Sequence, residues 1–204
     1  MFTGIVEAQH KIIKITKEGS NTHFCFSGDM TPELKIDQSI SHNGICLTVT
    51  SIDLESSSYE VTAVKETLDK TNAGAWQLND EINIERCLPA TGRFDGHMVQ
   101  GHVDGVGLID EIHDYNGSRM VFISHPSTAG MTVPKGSITI NGISLTVVDS
   151  FTDAFSVAII PYTWDHTTFK NAKQGDMMNL EFDIVGKYVQ KIMMTKNEIL
   201  PPGI

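Results

Sequence analysis

The sequence has few cysteines, fewer basic than acidic residues and no long apolar run. Each of these features counts against a class of protein. Its 3 cysteines, Cys25, Cys46 and Cys87, are odd in number and widely spaced, which does not suggest a disulfide framework and favours a reducing cytosol. No apolar run approaches the roughly 20 residues of a membrane span. We expect no secretory signal, because the first residues lack its basic and apolar regions.

The charge and the histidines narrow the range of partners. A formal net charge of −10 opposes nucleic acids and anionic membranes, whose binding depends on clustered Lys and Arg. No cluster of Cys and His has the ligand spacing of a zinc site, so no metal is predicted. The expected partner is a small molecule or another copy of the chain.

The second half of the chain repeats the first. Residues 39–49, SISHNGICLTV, match residues 137–147, SITINGISLTV, and from Asn43 to Val49 only Cys46 against Ser144 differs. Further segments match in the same order, which indicates a duplication rather than a shared turn motif: 4–7 with 101–104, 59–67 with 155–163, and 80–85 with 176–181. Each unit has about 90 residues, enough for a small core. The Pro- and Gly-containing stretch 88–96 is the predicted connector.

Short runs of β-forming residues within each unit predict an all-β fold. In the first unit these runs are 12–15, 22–26, 47–50 and 82–85. Asn-Gly pairs at 43–44 and 141–142 are strong turn signals, because both residue types tolerate positive φ. Many short strands without βαβ spacing favour a sandwich or a barrel.

A helix is predicted at the end of the chain and has no counterpart after the first unit. Apolar residues recur there at helical spacing with lysines between them: Tyr188, Val189, Ile192, Met193 and Leu200, with Lys187, Lys191 and Lys196. Residues 201–203, Pro-Pro-Gly, end the pattern. Such a helix would cap a barrel or pack against the same helix of other subunits. Residues 29–34 and 127–131 are candidates for short helices.

Five motifs inside this duplication resemble those of the riboflavin synthases, the lumazine-binding repeat family. They are MFTGIVE at 1–7, NGICLTV at 43–49, KETL at 65–68, GHMVQGHVDG at 96–105 and GISLTV at 142–147. The resemblance runs through both units in order and covers nearly the whole chain.

The resemblance implies two tandem six-stranded antiparallel Greek-key β-barrels and a C-terminal α-helix, assembled as a homotrimer. The implied domains are 1–96 and 97–186, each a lumazine-binding barrel, and 187–204, a trimerising helix and tail. The implied activity is a transferase reaction, the last step of riboflavin biosynthesis. One 6,7-dimethyl-8-ribityllumazine gives a four-carbon unit to another, and no cofactor is used. Each active site would lie between the first barrel of one subunit and the second barrel of a neighbour.

The same resemblance implies the residues of the site. Those with catalytic roles would be Cys46, Ser144, His102, Ser39 and Asp183. Contacts with the substrate are implied for Gly4, Ile5, Val6, Cys46, Leu47, Thr48, Thr62, Ala63, Val64, Lys65, Glu66, Thr67, Gly101, His102, Val103, Lys135, Ser144, Leu145, Thr146, Ile160, Pro161, Tyr162, Thr163, Trp164 and Asp165.

Each of these side chains also has a purely structural interpretation. Cys46 would then be a buried strand cysteine, the usual place of a free thiol. Thr48 and Thr146 would be β-formers on a barrel surface, and Lys135 and Asp183 would be lone surface charges. For His97 the structural interpretation, a hydrogen-bonded imidazole, is the favoured one.

Three other functions compete with the synthase. A relative that only binds lumazine or flavin would keep the first pocket and lose polar groups of the second, yet the second unit keeps Lys135, Thr163 and Asp183. A trimeric structural protein would need no matched polar residues in the two units. A flavin-dependent oxidoreductase would need a nicotinamide domain, for which no chain is left over.

Overall fold

Two closed antiparallel barrels form the body of the protein. The structure, a computed structural model, describes residues 1–199, with side chains described up to Thr195. The strands of the first barrel are β1 (Ala8–Glu18), β2 (Asn21–Ser27), β3 (Ser39–His42), β4 (Ile45–Asp53), β5 (Ser58–Ala63) and β6 (Glu81–Arg86). Those of the second are β7 (Gly105–Asp114), β8 (Arg119–Ser124), β9 (Ser137–Ile140), β10 (Ile143–Ser150), β11 (Ala154–Ile159) and β12 (Met177–Phe182).

The two barrels have the same strand order. It is β1-β2-β5-β4-β3-β6 in the first and β7-β8-β11-β10-β9-β12 in the second. In the first barrel β3, β4 and β5 are joined by hairpins, and β2, which precedes them in the chain, lies beside β5. This arrangement is a Greek key. The predicted fold class, two six-stranded Greek-key barrels with a C-terminal helix, is confirmed.

Alternation of side chains explains why each barrel holds a single core. Along β2 the side chains of Thr22, Phe24 and Phe26 face inward, while His23 and Cys25 between them face outward, as the two-residue period of a strand requires. The turns between β3 and β4 and between β9 and β10 are the two Asn-Gly pairs, in which all four residues have positive φ. These turns are as predicted.

Short helices sit at equivalent places in the two units. They are α1 (Lys65–Lys70) and α2 (Pro161–Asp165), followed by 3₁₀ helices at Asn72–Ala75 and Thr168–Asn171. The helix expected within 29–34 is only a 3₁₀ turn, Thr31–Glu33. The one expected at 127–131 is wrong: residues 127–129 form a turn, in which the N–H of Ala129 bonds back to Pro126.

The C-terminal helix, α3 (Ile184–Ile199), begins three residues earlier than the predicted domain limit at 187. Its start is fixed by Asp183, whose carboxylate accepts the N–H of Val185 at 2.9 Å in the manner of an N-cap. Exposed apolar side chains follow one face of the helix: Val185, Tyr188, Val189, Ile192 and Met193. The predicted contributions of Leu200 and 201–203, and the side chain of Lys196, lie outside the described residues. Within residues 1–199 no helix is long and apolar enough to cross a membrane.

Buried asparagines join the barrels around a pseudo-twofold axis. The side-chain amide of Asn83 donates to the carbonyl of Asn141 at 2.9 Å, and that of Asn179 donates to the carbonyl of Asn43 at 2.9 Å. Gly44 lies directly against Gly142, where an added Cβ would meet the backbone of the other barrel at less than 3 Å. The matched Asn-Gly turns therefore form the contact between the units.

Candidate active site

The first candidate pocket lies at the start of β4. It is a cavity of about 390 Å³ between that strand, helix α1 and the segment that leads into β7. Its lining residues are Ile45, Cys46, Glu66, Thr67, Lys70, Thr71, Gly101, His102, Val103, Asp104 and Lys187. The volume is in the range of small-molecule sites.

The second pocket is the counterpart of the first in the other barrel. It is a cavity of about 490 Å³ at the start of β10, beside helix α2. Its lining residues are Gly4, Ile5, Val6, Glu7, Ala8, Gln9, Ile143, Ser144, Tyr162, Thr163, Asp165, His166 and Thr167. Ser144 thus occupies the place that Cys46 has in the first pocket.

The segments that precede β1 and β7 are exchanged between the pockets. The N–H of Cys46 donates to the carbonyl of Gly101 at 2.9 Å, and the N–H of Ser144 donates to that of Gly4 at 2.8 Å. The segments cross where Phe2 and Val99 form an antiparallel bridge. The predicted limit at 96/97 therefore separates the strands of the barrels but not their pockets, each of which contains residues from both units.

Glycine is required where each exchanged segment meets a pocket strand. Gly4 has φ +79° and Gly101 has φ +81°, a region that other residues enter only at a cost. An added Cβ on Gly4 would lie 2.6 Å from the Cβ of Ser144, and one on Gly101 would lie 2.6 Å from the Cβ of Cys46. Both peptides therefore pass as close to the pocket strand as a backbone can.

Comparisons with known proteins agree with this architecture. The lumazine binding domain family matches the chain twice, over residues 3–87 and 100–183. A riboflavin synthase of Actinobacillus pleuropneumoniae is 41% identical over 198 residues, which cover 96% of this chain and 91% of the relative. The chain belongs to the riboflavin synthase family.

Other relatives cover the chain equally well. A riboflavin synthase of Bacillus subtilis is 34% identical over 97% of this chain and 92% of its own length. A crystal structure of LumP complexed with riboflavin superposes with a TM-score of 0.81 over 90% of this chain and 100% of its own, at 21% identity. At that identity the likeness shows the fold alone, two β-barrels in one chain.

Ser144 is bonded to an imidazole. Its hydroxyl lies 2.7 Å from Nδ1 of His97, and Nε2 of the same ring lies 3.1 Å from the hydroxyl of Thr139. Burial lowers the pKa of His97, and the nearby carboxylate of Asp183 opposes this shift. A neutral ring whose Nε2–H donates to Thr139 leaves Nδ1 free to accept the serine proton.

His97 has a contact that the sequence did not indicate, the hydrogen bond to Ser144. The sequence favours a hydrogen-bonded structural imidazole at this position, which directly follows the predicted connector 88–96. The available signal was its place five residues before His102, in the motif 96–105. The fold turns this segment toward Ser144.

The first pocket has a thiol in place of this pair. Burial raises the pKa of the Cys46 thiol, and a hydrogen bond from the Ser39 hydroxyl opposes the shift. Cys46 therefore carries a neutral S–H at neutral pH. Cys46 and His102 line the first pocket, with the Ser39 hydroxyl beside the Cys46 thiol, and Ser144 lines the second.

Other predicted contacts line the ends of the pockets. Glu66 and Thr67 on α1 line the first pocket. Tyr162, Thr163 and Asp165 on α2 line the second. The Tyr162 ring stacks on His166 with centroids 4.1 Å apart. These helices start at exposed residues that the prediction also included: Val64 and Lys65 for α1, Ile160 and Pro161 for α2.

Several predicted contacts do not line either cavity. Leu47 and Ala63 are buried in the first core and Trp164 in the second, with Leu145 packed beside it. At the buried positions Leu47, Ala63 and Trp164 only the backbone could reach a ligand in either cavity. Thr62 bonds His23 at 2.9 Å, while Thr48, Thr146 and Lys135 are exposed on the barrel surface. Their contact with substrate stays a prediction.

Proposed function

We propose that the protein makes riboflavin and 5-amino-6-(D-ribitylamino)uracil from two molecules of 6,7-dimethyl-8-ribityllumazine. A four-carbon unit passes from one lumazine to the other, and the atoms balance without an added oxidant, reductant or metal. The observation that carries the proposal is the pair of equivalent pockets, in which Cys46 and Ser144 occupy the same place. A reaction between two molecules of the same substrate needs two binding sites that each accept that substrate.

The duplication supplies the positioning that this reaction needs. A step between two bound molecules avoids much of the entropic barrier of a bimolecular encounter, up to about 7–11 kcal/mol in ideal cases. Glu66 and Thr67 in one pocket, and Tyr162 and Thr163 in the other, provide different hydrogen-bonding groups for the ribityl chain. The pockets are thus alike at the ring and distinct at the polyol.

His97 is our candidate for the base that starts the reaction. A proton leaves the C7-methyl group of a lumazine for the Ser144 oxygen, as the serine proton passes to Nδ1 of His97. The lowered pKa keeps His97 neutral, and therefore able to accept this proton, at neutral pH. Asp183 lies close enough to stabilise the imidazolium that forms.

We also propose that the protein works as a homotrimer in the cytoplasm, with each active site between the first barrel of one subunit and the second barrel of another. The apolar side chains of α3 form an exposed face, and a second and third copy of this helix would cover it. The three free cysteines agree with a reducing compartment.

Turnover of lumazine tests the function. Purified protein without added cofactor or metal should form one riboflavin for every two lumazines consumed, because one molecule of each pair becomes the uracil product. Absorbance follows the loss of lumazine, and fluorescence after separation measures riboflavin. Heat-denatured protein is the control. Saturable binding without riboflavin would contradict the proposal and make the protein a lumazine or flavin carrier.

Sedimentation equilibrium tests the trimer. The mass should be three times the 22.4-kDa chain at micromolar concentration. Val189→Asp with Ile192→Asp should lower it toward that of one chain, because two charges on the apolar face oppose its burial. Lys191→Asp, outside that face, is the matched control and should leave the mass unchanged. A single-chain mass for the unaltered protein would refute the trimer.

A further inference from the structure

A buried glutamate lies under each exchanged segment. Glu85, on β6 and 5% exposed, accepts the N–H groups of Thr3 at 2.7 Å and Gly4 at 2.9 Å, and the Thr3 hydroxyl at 2.9 Å. The backbone of Ile5 also bonds to it. The carboxylate therefore holds the three peptides that lead into the second pocket.

Glu181 does the same on the other side of the pseudo-twofold axis. It lies on β12, is 3% exposed, and accepts the N–H groups of Gln100 at 2.7 Å, Gly101 at 2.9 Å and His102 at 3.0 Å. The equivalent three peptides are held in both units, which makes this an element of the duplicated design.

Each segment is thus held from two sides by different barrels. Glu85 belongs to the first barrel, yet the carbonyl of Gly4 accepts the N–H of Ser144 in the second. Glu181 belongs to the second barrel, yet the carbonyl of Gly101 accepts the N–H of Cys46 in the first. The next side chains follow this pattern: Val6 packs on the second core and Val103 on the first.

Only a carboxylate satisfies these donors. At each site both carboxylate oxygens face backbone N–H groups, so both oxygens must accept. A glutamine of the same shape would turn its NH₂ group toward at least one N–H and leave a buried donor unpaired. Burial raises the pKa of both carboxyls, and the backbone hydrogen bonds oppose the shift.

We propose that Glu85 is a positioning residue for the second pocket and Glu181 a positioning residue for the first, so that each barrel builds the binding site of the other. Neither glutamate contacts the reacting atoms in this scheme. Each fixes the backbone that a ligand meets, Ile5 in one pocket and His102 in the other. That these pockets take lumazine rests on the proposed function, but the crossed dependence does not.

Alkylation of pocket thiols tests the crossed dependence without any ligand. Cys46 reports on the first pocket, and Ser144→Cys, in a Cys46→Ser background, places the matched thiol in the second. The probe is iodoacetamide, and mass spectrometry of digested protein measures each cysteine separately. Cys25, on β2 and away from both cavities, is the internal control for folding.

Glu181→Gln should speed alkylation of Cys46 at least fivefold and leave the thiol of Ser144→Cys within twofold. Glu85→Gln should do the opposite. The reason is that the segment bonded to the altered glutamate loses its support. The charge of Glu181 also raises the pKa of the Cys46 thiol, so Glu181→Asp, which keeps that charge, separates positioning from electrostatics. Glu111→Gln, an exposed glutamate on β7, should change neither thiol. Glu85→Asp and Glu181→Asp keep the charge but shorten its reach, and should give the same crossed pattern more weakly.

Three results would overturn the proposal. The first is faster alkylation of only the thiol in the barrel that carries the altered glutamate. The second is an equal rise in the alkylation rates of both pocket thiols. The third is a rise that Cys25 shares, which would make the glutamates general supports of the fold. Lumazine protection of each thiol is a separate measurement. If lumazine protects neither thiol while the crossed pattern holds, the proposed function fails and the positioning role stands.

Discussion

Replacing His97 with asparagine will lower kcat at least 100-fold and change the KM for lumazine by only a few-fold. Asparagine places a polar atom near the position of Nδ1, so the hydrogen bond to Ser144 at 2.7 Å can be kept. It cannot accept a proton, however, and loss of a general base typically costs 10²- to 10⁴-fold. Ground-state binding depends on the pocket walls, which this change leaves in place.

The pH dependence separates a base from a structural imidazole. His97 must be neutral to accept the serine proton, and its pKa lies below the ordinary value of 6.5. Turnover of the unaltered protein should therefore hold through pH 6.5 and decline only at lower pH, as the ring becomes protonated. The asparagine variant has no such group, so its residual activity should lack this acid limb.

Two companion variants complete the test of the relay. Ser144→Ala should lower kcat by a similar factor, and the double variant should be little worse than either single one, since the two residues act as one unit. His113→Asn is the matched control, because His113 is exposed and bonded only to Glu111. An unchanged kcat for His97→Asn would remove the imidazole from the mechanism.

Acid will unfold the first barrel before the second. The first core contains a buried trio in which the Tyr59 hydroxyl lies 2.9 Å from Nε2 of His42 and 3.2 Å from Nδ1 of His10. Both histidines are fully buried, and burial lowers the pKa of His42 to about 3. The second core has Ile140 and Phe155 at the places of His42 and Tyr59.

The sign and the window follow from the shift of His42. Below pH 6.5 His42 is protonated in the unfolded chain, whereas in the folded barrel it stays neutral until about pH 3. The free energy of unfolding therefore falls across this window, by about 5 kcal/mol for a shift of this size. Burial lowers the pKa of His10 as well, which adds to the loss, while Asp29, 3.8 Å from Nε2 of His10, opposes it.

One tryptophan in each barrel makes the order of unfolding measurable. Trp76 packs on Phe24 of the first core with ring centroids 5.1 Å apart, and Trp164 packs on Phe169 of the second at 5.8 Å. Urea unfolding of Trp76→Phe and Trp164→Phe, repeated from pH 7 to pH 4, reports each barrel alone. The midpoint read from Trp76 should fall faster with acid than that read from Trp164.

The second barrel provides the matched variant. His42→Ile with Tyr59→Phe gives the first core the residues of the second at these two places. It should remove more than half of the acid sensitivity of the first barrel, since only His10 of the trio remains. Parallel midpoints in the unaltered protein, or an unchanged slope in the double variant, would contradict the assignment to His42.

The duplication made the fold predictable. A match between two distant segments, 39–49 and 137–147, requires the same local structure twice, and the Asn-Gly turns fix strand directions in both. The relation of Cys46 to Ser144 is visible for the same reason. The predicted start of α3 is three residues late, because the helical spacing of apolar residues becomes visible only from Tyr188, whereas the cap is Asp183.

The exchange of segments could not be predicted in the same way. A repeat shows that 4–7 and 101–104 are equivalent, but not whether each packs on its own barrel or on the other. Geometry decides this question, because the Phe2–Val99 crossing joins residues that no local pattern connects. The glutamates had a signal, Glu85 and Glu181 in matched strands, yet their N–H partners lie some 80 residues away along the chain.

The crossing also sets the order in which the molecule can be completed during synthesis. All six strands of the first barrel have left the ribosome once Arg86 is exposed, so that barrel can close early. Its pocket must wait for residues 101–103, and the N-terminal segment must wait for Ser144, the most distant of these partners along the chain. Glu85 is available long before then. Thr3 and Gly4 can therefore bind the Glu85 carboxylate while β10, the strand of Ser144, is still being synthesised.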